Sequence, residues 1–429
     1  MNNWYLHDGL VFRGGRLKKE DILILHGRIA AFGSEAATMR RQSSVPVKDY
    51  DAGSYVVSHG FIDLHVHLRE PGFESKETIE SGTKAAAAGG FTTVYAMPNT
   101  EPPLDSVERL FELRERIKQS AFVRVEPIAA VTKNRAGREI NDLAHLVRHG
   151  VSLFSDDGDP VESDIIKNVM EELAPLNGVL INHLEEKSLL RSGLFCDSIP
   201  PESEYLMLER DLKLVAQTNC RYHAAHLSCA KSVELIGKAK QEGLPVTAEV
   251  TPHHLTLTKD DIAFPEGNYQ MKPPLRTETD RLALIEGLRT GVIDAVATDH
   301  APHGREKDGG IYSNSPFGVT GLETAFPVLY SNLVLTGQLE LERLLAALTT
   351  GPAKLVGQSG ELKVGEAGDI VVLDLECRRT VEADSFYSKG TNSPYIGQKL
   401  QGWPVLTLVN GVEKYSAGRP DPMHSKEAY

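Results

Sequence analysis

Apolar positions along this chain fall into two textures. From residue 1 to about residue 57 they come in short runs closed by glycine or polar turns: YLHDGLVFRGG, DILILHGRIAAFG and YVVSHGFIDLH. Such runs predict short β-strands. The same texture returns after residue 361, in GDIVVLDLE and in WPVLTLVNGVEKYSAG, where Asn410-Gly411 between two apolar runs is a hairpin signal. Because the ends of a chain often lie close together, a small β-rich module built from 1–57 and 361–429 is predicted. The polar tail from Ser416 onward is expected to fray.

The middle, residues 58–360, alternates strand-like and helix-like runs. Eight strands are predicted: Gly60–His67, Thr92–Met97, Phe122–Val131, Val151–Ser155, Val179–His183, Arg221–His226, Pro245–Val250 and Val292–Thr298. Amphipathic or alanine-rich helical runs separate them, among them KETIESGTKAAAAGG, SVERLFELRERIKQS, SDIIKNVMEELAPL, EYLMLERDLKLVAQ, AKSVELIGKAKQEG and TDRLALIEGLRTG. Several end in glycine, the preferred helix C-cap. Eight βα units in one run predict an α/β fold with a (β/α)8 barrel of the TIM type. A doubly wound open sheet is the alternative, but it would not place polar residues so regularly at strand ends.

Composition narrows the classes of function. The chain has 429 residues, 41% hydrophobic and 24% charged, enough for a large core plus a smaller module. Its formal charge of −13 argues against nucleic acid and anionic membranes as partners. A small anionic substrate would then need basic groups in its own pocket. No apolar stretch has the length of a signal peptide core or of a membrane span. The four cysteines, Cys196, Cys220, Cys229 and Cys377, form no Cys-x-x-Cys pair. Reduced thiols and a cytoplasmic location are expected.

The strongest chemical signal is GFIDLHVHLREPG, residues 60–72. Strand alternation puts Ile62, Leu64 and Val66 on one face and Asp63, His65 and His67 on the other. Two histidines spaced in this way can share one metal ion, and imidazole suits Zn²⁺. Other predicted strands end in Asp156 and Asp157, in His183, in His226 and in Asp299. In a TIM barrel those ends form one crater. Four histidines and two aspartates there suit two metal ions, with an aspartate bridging. Two cations sharing a water lower its pKa towards neutrality and supply a hydroxide nucleophile, the chemistry of amide hydrolysis or its reversal. Asp299 is the candidate to carry the proton between that water and the leaving nitrogen. Arg69, two positions beyond the His-x-His strand, can grip a carboxylate with its planar fork. Asn99, at the end of the second strand, can both donate and accept.

These residues sit in a set of motifs that resembles the class I dihydroorotases of the amidohydrolase superfamily: DLHVHLREPG, GGFTTVYAMPNT, FSDDG, AAHLS, AEVTPHHL, MKPPLR, ATDHAPH, PFGVTGLETAFP, SKGTNSPYIG and GWPVLTLVNG. They span almost the whole chain in the family's order. The resemblance implies that His65, His67 and Asp299 bind one zinc ion, that His183 and His226 bind a second, and that Asp157 bridges them where many relatives use a carboxylated lysine. It implies that the module from both termini is a small β-sandwich domain, and it implies two Zn²⁺ per subunit and Asp299 as general acid/base. It further implies that Arg69, Asn99 and His303 hold the substrate carboxylate, that His67 lies beside the substrate, and that Phe317 and Gly318 offer backbone groups to the ring. The implied reaction is the reversible cyclisation of N-carbamoyl-L-aspartate to (S)-dihydroorotate, the third step of pyrimidine synthesis. A homodimer, or association with aspartate transcarbamoylase, is the family's implied assembly. One departure is Lys272, where many relatives carry an asparagine that contacts substrate. Lys272 can meet a carboxylate as a point charge or turn away. The competing readings are another ring opener of the superfamily, an allantoinase or dihydropyrimidinase, and a non-catalytic partner of aspartate transcarbamoylase.

Overall fold

The structure, a computed structural model, describes residues 2–161, 163–191, 198–263, 266–304 and 315–418. Cys196 and the end of the tail predicted to fray lie outside the described residues.

Eight parallel strands make the barrel: Phe61–Val66, Phe91–Ala96, Arg124–Pro127, Leu153–Phe154, Val179–Asn182, Arg221–Ala224, Val246–Val250 and Ala295–Val296. The first three pair in sequence order, as do the last five. Isolated parallel bridges, Ala129 to Phe154 and Val66 to His300, join the two sets and close the ring. All eight predicted strands are present, with several trimmed at their ends. The last is shortened to two residues, and the cause is local. Asp63 accepts bonds from the main-chain N–H and the hydroxyl of Thr298, and Asp299 then turns into the left-handed region at φ 47°. The chain leaves the ladder where the site begins.

The barrel interior is an apolar cluster containing Ile62, Leu64, Tyr95, Ile128, Leu153, Val179, Ile181 and Ala297, together with Ala353 and Leu355. A second apolar layer, with Phe61, Val66, Val94, Leu180 and Val250, faces the surrounding helices. These helices begin as their sequences dictate. Thr78 closes a capping box at the start of Ile79–Ala88, Ser106 caps Val107–Ser120, and Thr277 closes a box at the start of Glu278–Thr290. Gly291, at φ 84°, ends the last of these with no Cβ to strain. Among the described residues, no helix is long and apolar enough to cross a membrane.

The remaining strands form two sheets outside the barrel. One orders Arg28–Phe32, Ile22–Leu25, Trp4–His7 and Lys48–Asp51. The other orders Val412–Ser416, Lys399–Val409, Ile370–Thr380, Val56–His59, Leu10–Arg13 and Arg16–Lys19, so strands from both ends of the chain lie side by side. Trp4, Val11, Ile22 and Ile24 pack against Val57, Ile370, Val372 and Leu408 in a core of their own. The hairpin at Asn410-Gly411 is present, with both residues at positive φ, 50° and 69°, and Val409 pairs with Val412 across it.

Candidate metal and substrate site

The first strand departs from simple alternation. Ile62 and Leu64 point into the barrel, but Val66 belongs to the layer facing the helices. The pairing with Phe91–Ala96 slips between Asp63 and Val66, an irregularity that re-aims side chains. The expected face of Asp63, His65 and His67 is therefore corrected. Asp63 accepts from the His65 N–H at 3.0 Å and from Thr298, away from the site. Burial pushes its carboxyl up to about 7. Asp156 is also turned away, accepting from Val131, Thr132 and the Thr132 hydroxyl.

The other strand-end groups converge. Asp157 Oδ1 lies 3.3 Å from His65 Nε2, 3.7 Å from His183 Nδ1 and 3.8 Å from His226 Nε2, while its Oδ2 is 3.4 Å from His67 Nε2. Asp299 Oδ1 is 3.0 Å from His67 Nε2 and 3.6 Å from His65 Nε2. His183 Nδ1 and His226 Nε2 are 3.0 Å apart. All six residues are buried. Among these six residues, two sets have donor atoms close enough to share an ion: His65, His67 and Asp299, and His65, Asp157 and His226, with His183 in neither.

Protonation favours the same purpose. His65 Nδ1 is 2.8 Å from Glu249 Oε1, and His67 Nδ1 is 2.9 Å from Asn99 Oδ1. Both rings donate outward through Nδ1–H, which leaves each Nε2 facing the aspartates. His65 Nε2 is buried and makes no hydrogen bond, as a metal-ligating nitrogen would. Burial raises the Asp157 carboxyl, but His65, His183 and His226 outweigh it and hold it well below the usual range. Burial likewise opposes the ionised Asp299, and His65 and His67 prevail. Burial lowers His65, yet Asp157 and Asp299 raise it well above its ordinary value. A field that draws a proton to His65 would equally draw a cation. The donor set of imidazoles and carboxylates fits zinc.

A cavity of about 160 Å³ opens over these groups. Every nominated site residue lines it except His65 and His303. Arg69, at φ 61°, points its Nε to the carbonyl of Pro302 at 3.3 Å. Lys272 lies with its Nζ 2.9 Å from Glu185 Oε1 and 4.7 Å from the centre of the Phe317 ring. It lines the cavity rather than turning away, but its charge is already shared with Glu185. His303 is held beside the cavity, where Lys76 Nζ lies 3.4 Å from its Nδ1, its Nε2–H meets the carbonyl of Phe317, and the same nitrogen lies 3.5 Å from the Arg69 guanidinium.

Sequence reading missed three residues. Glu249 bridges His65 and His223, whose Nε2 lies 3.0 Å from the other carboxylate oxygen. Glu185 partners Lys272, and Asn392 reaches the cavity edge from the far end of the chain. The first two lie in or just beyond predicted strands, and no periodicity marks them. Asn392 carries no signal of its own beyond the SKGTNSPYIG motif that contains it.

A family model described as "Dihydro-orotase-like" matches residues 54–231. A dihydroorotase of Geobacillus sp. (strain WCH70) is 44% identical over 95% of this chain and 97% of its own length. A dihydroorotase of Staphylococcus epidermidis (strain RP62A) is 43% identical over 95% and 97%. Among solved structures, an L-hydantoinase (dihydropyrimidinase) from Arthrobacter aurescens superposes with a TM-score of 0.88 at 28% identity, covering 98% of this chain and 97% of the other. A D-hydantoinase from Thermus sp. shares the fold, with a TM-score of 0.84 at 24% identity over 97% and 96%. Near-complete coverage of dihydroorotases at 43–44% identity settles the kinship: this chain belongs to the dihydroorotase family.

Proposed function

We propose that this chain catalyses the reversible cyclisation of N-carbamoyl-L-aspartate to (S)-dihydroorotate with release of water, in the synthesis of UMP. The observation that carries the reading is the placement of Arg69 and Asn99 in the same cavity as the aspartate and histidine cluster. Dihydroorotate carries a carboxylate; the uncharged rings of a hydantoin or dihydrouracil do not.

Two zinc ions per subunit belong to this reading. His65, His67 and Asp299 would hold one, His183 and His226 the other, and Asp157, whose two oxygens face histidines of both sets, would bridge. When bound, the pair supplies an activated water and polarises the ring carbonyl. In the hydrolytic direction Asp299 accepts the proton of the attacking water and returns it to the ring nitrogen as the amide bond breaks. In cyclisation it takes the carbamoyl N–H proton and protonates the departing oxygen. Arg69 binds the substrate carboxylate through two parallel N–H bonds, with Asn99 and Lys272 beside it. Main-chain groups of Phe317 and Gly318 border the ring, and His303 supports Phe317.

Residues 1–57 with 361–429 act as one folding unit and 58–360 as another, a division supported by the separate core around Trp4 and Ile370. Cys220, Cys229 and Cys377 are free thiols, in keeping with a cytoplasmic enzyme. A homodimer, or a complex with aspartate transcarbamoylase, is the assembly this family membership suggests.

The test is a comparison of substrates on purified protein, with metal analysis. Dihydroorotate should be opened faster than hydantoin or dihydrouracil, with close to two zinc ions per chain. The reading fails if the uncharged rings turn over faster, or if the protein carries no tightly held metal.

A further inference from the structure

The segment between Ile370–Thr380 and Lys399–Val409 leaves the terminal sheets and runs to the mouth of the barrel. Asn392, on this segment, is 4% exposed. Its Oδ1 accepts from the His303 N–H at 3.0 Å. Its Nδ2 donates to the carbonyls of Ala301 at 3.1 Å and of Gly318 at 3.0 Å. Its own carbonyl accepts from the Thr320 N–H at 2.9 Å. One planar amide thus uses both donor hydrogens and an acceptor position to fasten two stretches of chain that form one edge of the cavity. Ala301 and Gly318 both line that cavity.

The fastening occurs where the backbones are too close for ordinary side chains. A Cβ on Gly318, at φ 123°, would lie 2.5 Å from Ala301 Cβ. A Cβ on Gly390 would lie 2.6 Å from Pro302 Cβ and 2.8 Å from the Asn392 amide oxygen. Two glycines permit the approach and Asn392 supplies its bonds. None of these contacts reaches the aspartate and histidine cluster, so the effect should fall on how the substrate is held.

We propose that Asn392 is a positioning residue, brought from outside the barrel, that sets the spacing of the Ala301–His303 and Phe317–Gly318 edges at which the ring substrate is bound. The inference rests on the dihydroorotase activity proposed above. Asn392→Ala removes all three side-chain bonds without adding charge. Asn392→Asp keeps the shape and the acceptor but turns an oxygen towards two carbonyls. Both variants should raise KM for dihydroorotate by roughly tenfold or more while kcat stays within about threefold, and metal content should match the parent.

A KM within about twofold of the parent in both variants would overturn the inference. So would kcat falling in proportion with KM unchanged, or a rise in KM confined to the Asp variant, which would report charge rather than lost bonds. A parent enzyme that does not turn over dihydroorotate defeats the activity reading instead, so the two failures are distinguishable.

Discussion

Glu249 spans two histidines, taking His65 Nδ1 on one oxygen at 2.8 Å and His223 Nε2 on the other at 3.0 Å. His223 is fixed in turn through Nδ1, 2.8 Å from the Thr247 hydroxyl. Burial would raise the Glu249 carboxyl, but His223 and His65 hold it at about 2. It is therefore an ionised acceptor that sets the tautomer and ring angle of His65. Glu249→Gln would offer an N–H₂ group to one of the two rings and spoil this arrangement. Metal affinity is expected to fall by roughly 10–100-fold, read by competition with a chelator. An unchanged affinity would show that His65 is oriented by other means.

Arg69 is the one nominated residue that adds a planar two-pronged cation to the cavity wall. Arg69→Met keeps the length of the side chain and removes its donors. Charge-assisted bonds are worth ~1.5–3 kcal/mol, so KM for dihydroorotate should rise roughly 10–100-fold, with a smaller change in kcat. Steady-state kinetics decide this, and a KM close to the parent's would place the substrate carboxylate elsewhere.

Asp299→Ala should abolish nearly all turnover in both directions. Its circular dichroism should match the parent, because the barrel core beneath does not depend on this side chain. Residual activity within about tenfold of the parent would contradict its role in proton transfer.

Glu323 accepts from the main-chain N–H groups of Tyr387 and Ser388, at the root of the segment that carries Asn392. Burial pushes its carboxyl from 4.5 up to about 7. The folded state therefore binds this proton more tightly than the unfolded one. Its stabilising effect is full below pH 4.5 and declines as the pH rises to about 7. Glu323→Gln cannot ionise, so its melting temperature relative to the parent should climb across that window. A difference that stays constant with pH would exclude Glu323 as the source.

Much of this arrangement was legible in the sequence because it obeys local rules. All eight barrel strands carried apolar runs, the helices carried their caps, and the hairpin at Asn410-Gly411 carried its turn. Position at a strand end was enough to nominate Asp157, His183, His226 and Asp299, since a barrel gathers such ends. What failed was finer. Period-2 alternation put Asp63 beside His65, because no composition marks the slip in pairing that separates them. Strand position alone did not choose between Asp156 and Asp157; the family resemblance chose Asp157, and the Thr132 hydroxyl shows where Asp156 turns instead. Glu249, Glu185 and Asn392 act only through partners far away in sequence.

The six-stranded sheet has a consequence for how the protein is made. Val56–His59 lies between Leu10–Arg13 and Ile370–Thr380, so during synthesis one of its edges has no neighbour until the whole barrel has been made. The barrel can close first, while Val57 and the other apolar groups of the early strands wait uncovered. Unpaired strand edges invite association between chains, and slow or interrupted translation between the barrel and Ile370–Thr380 should therefore promote clumping of otherwise sound polypeptides.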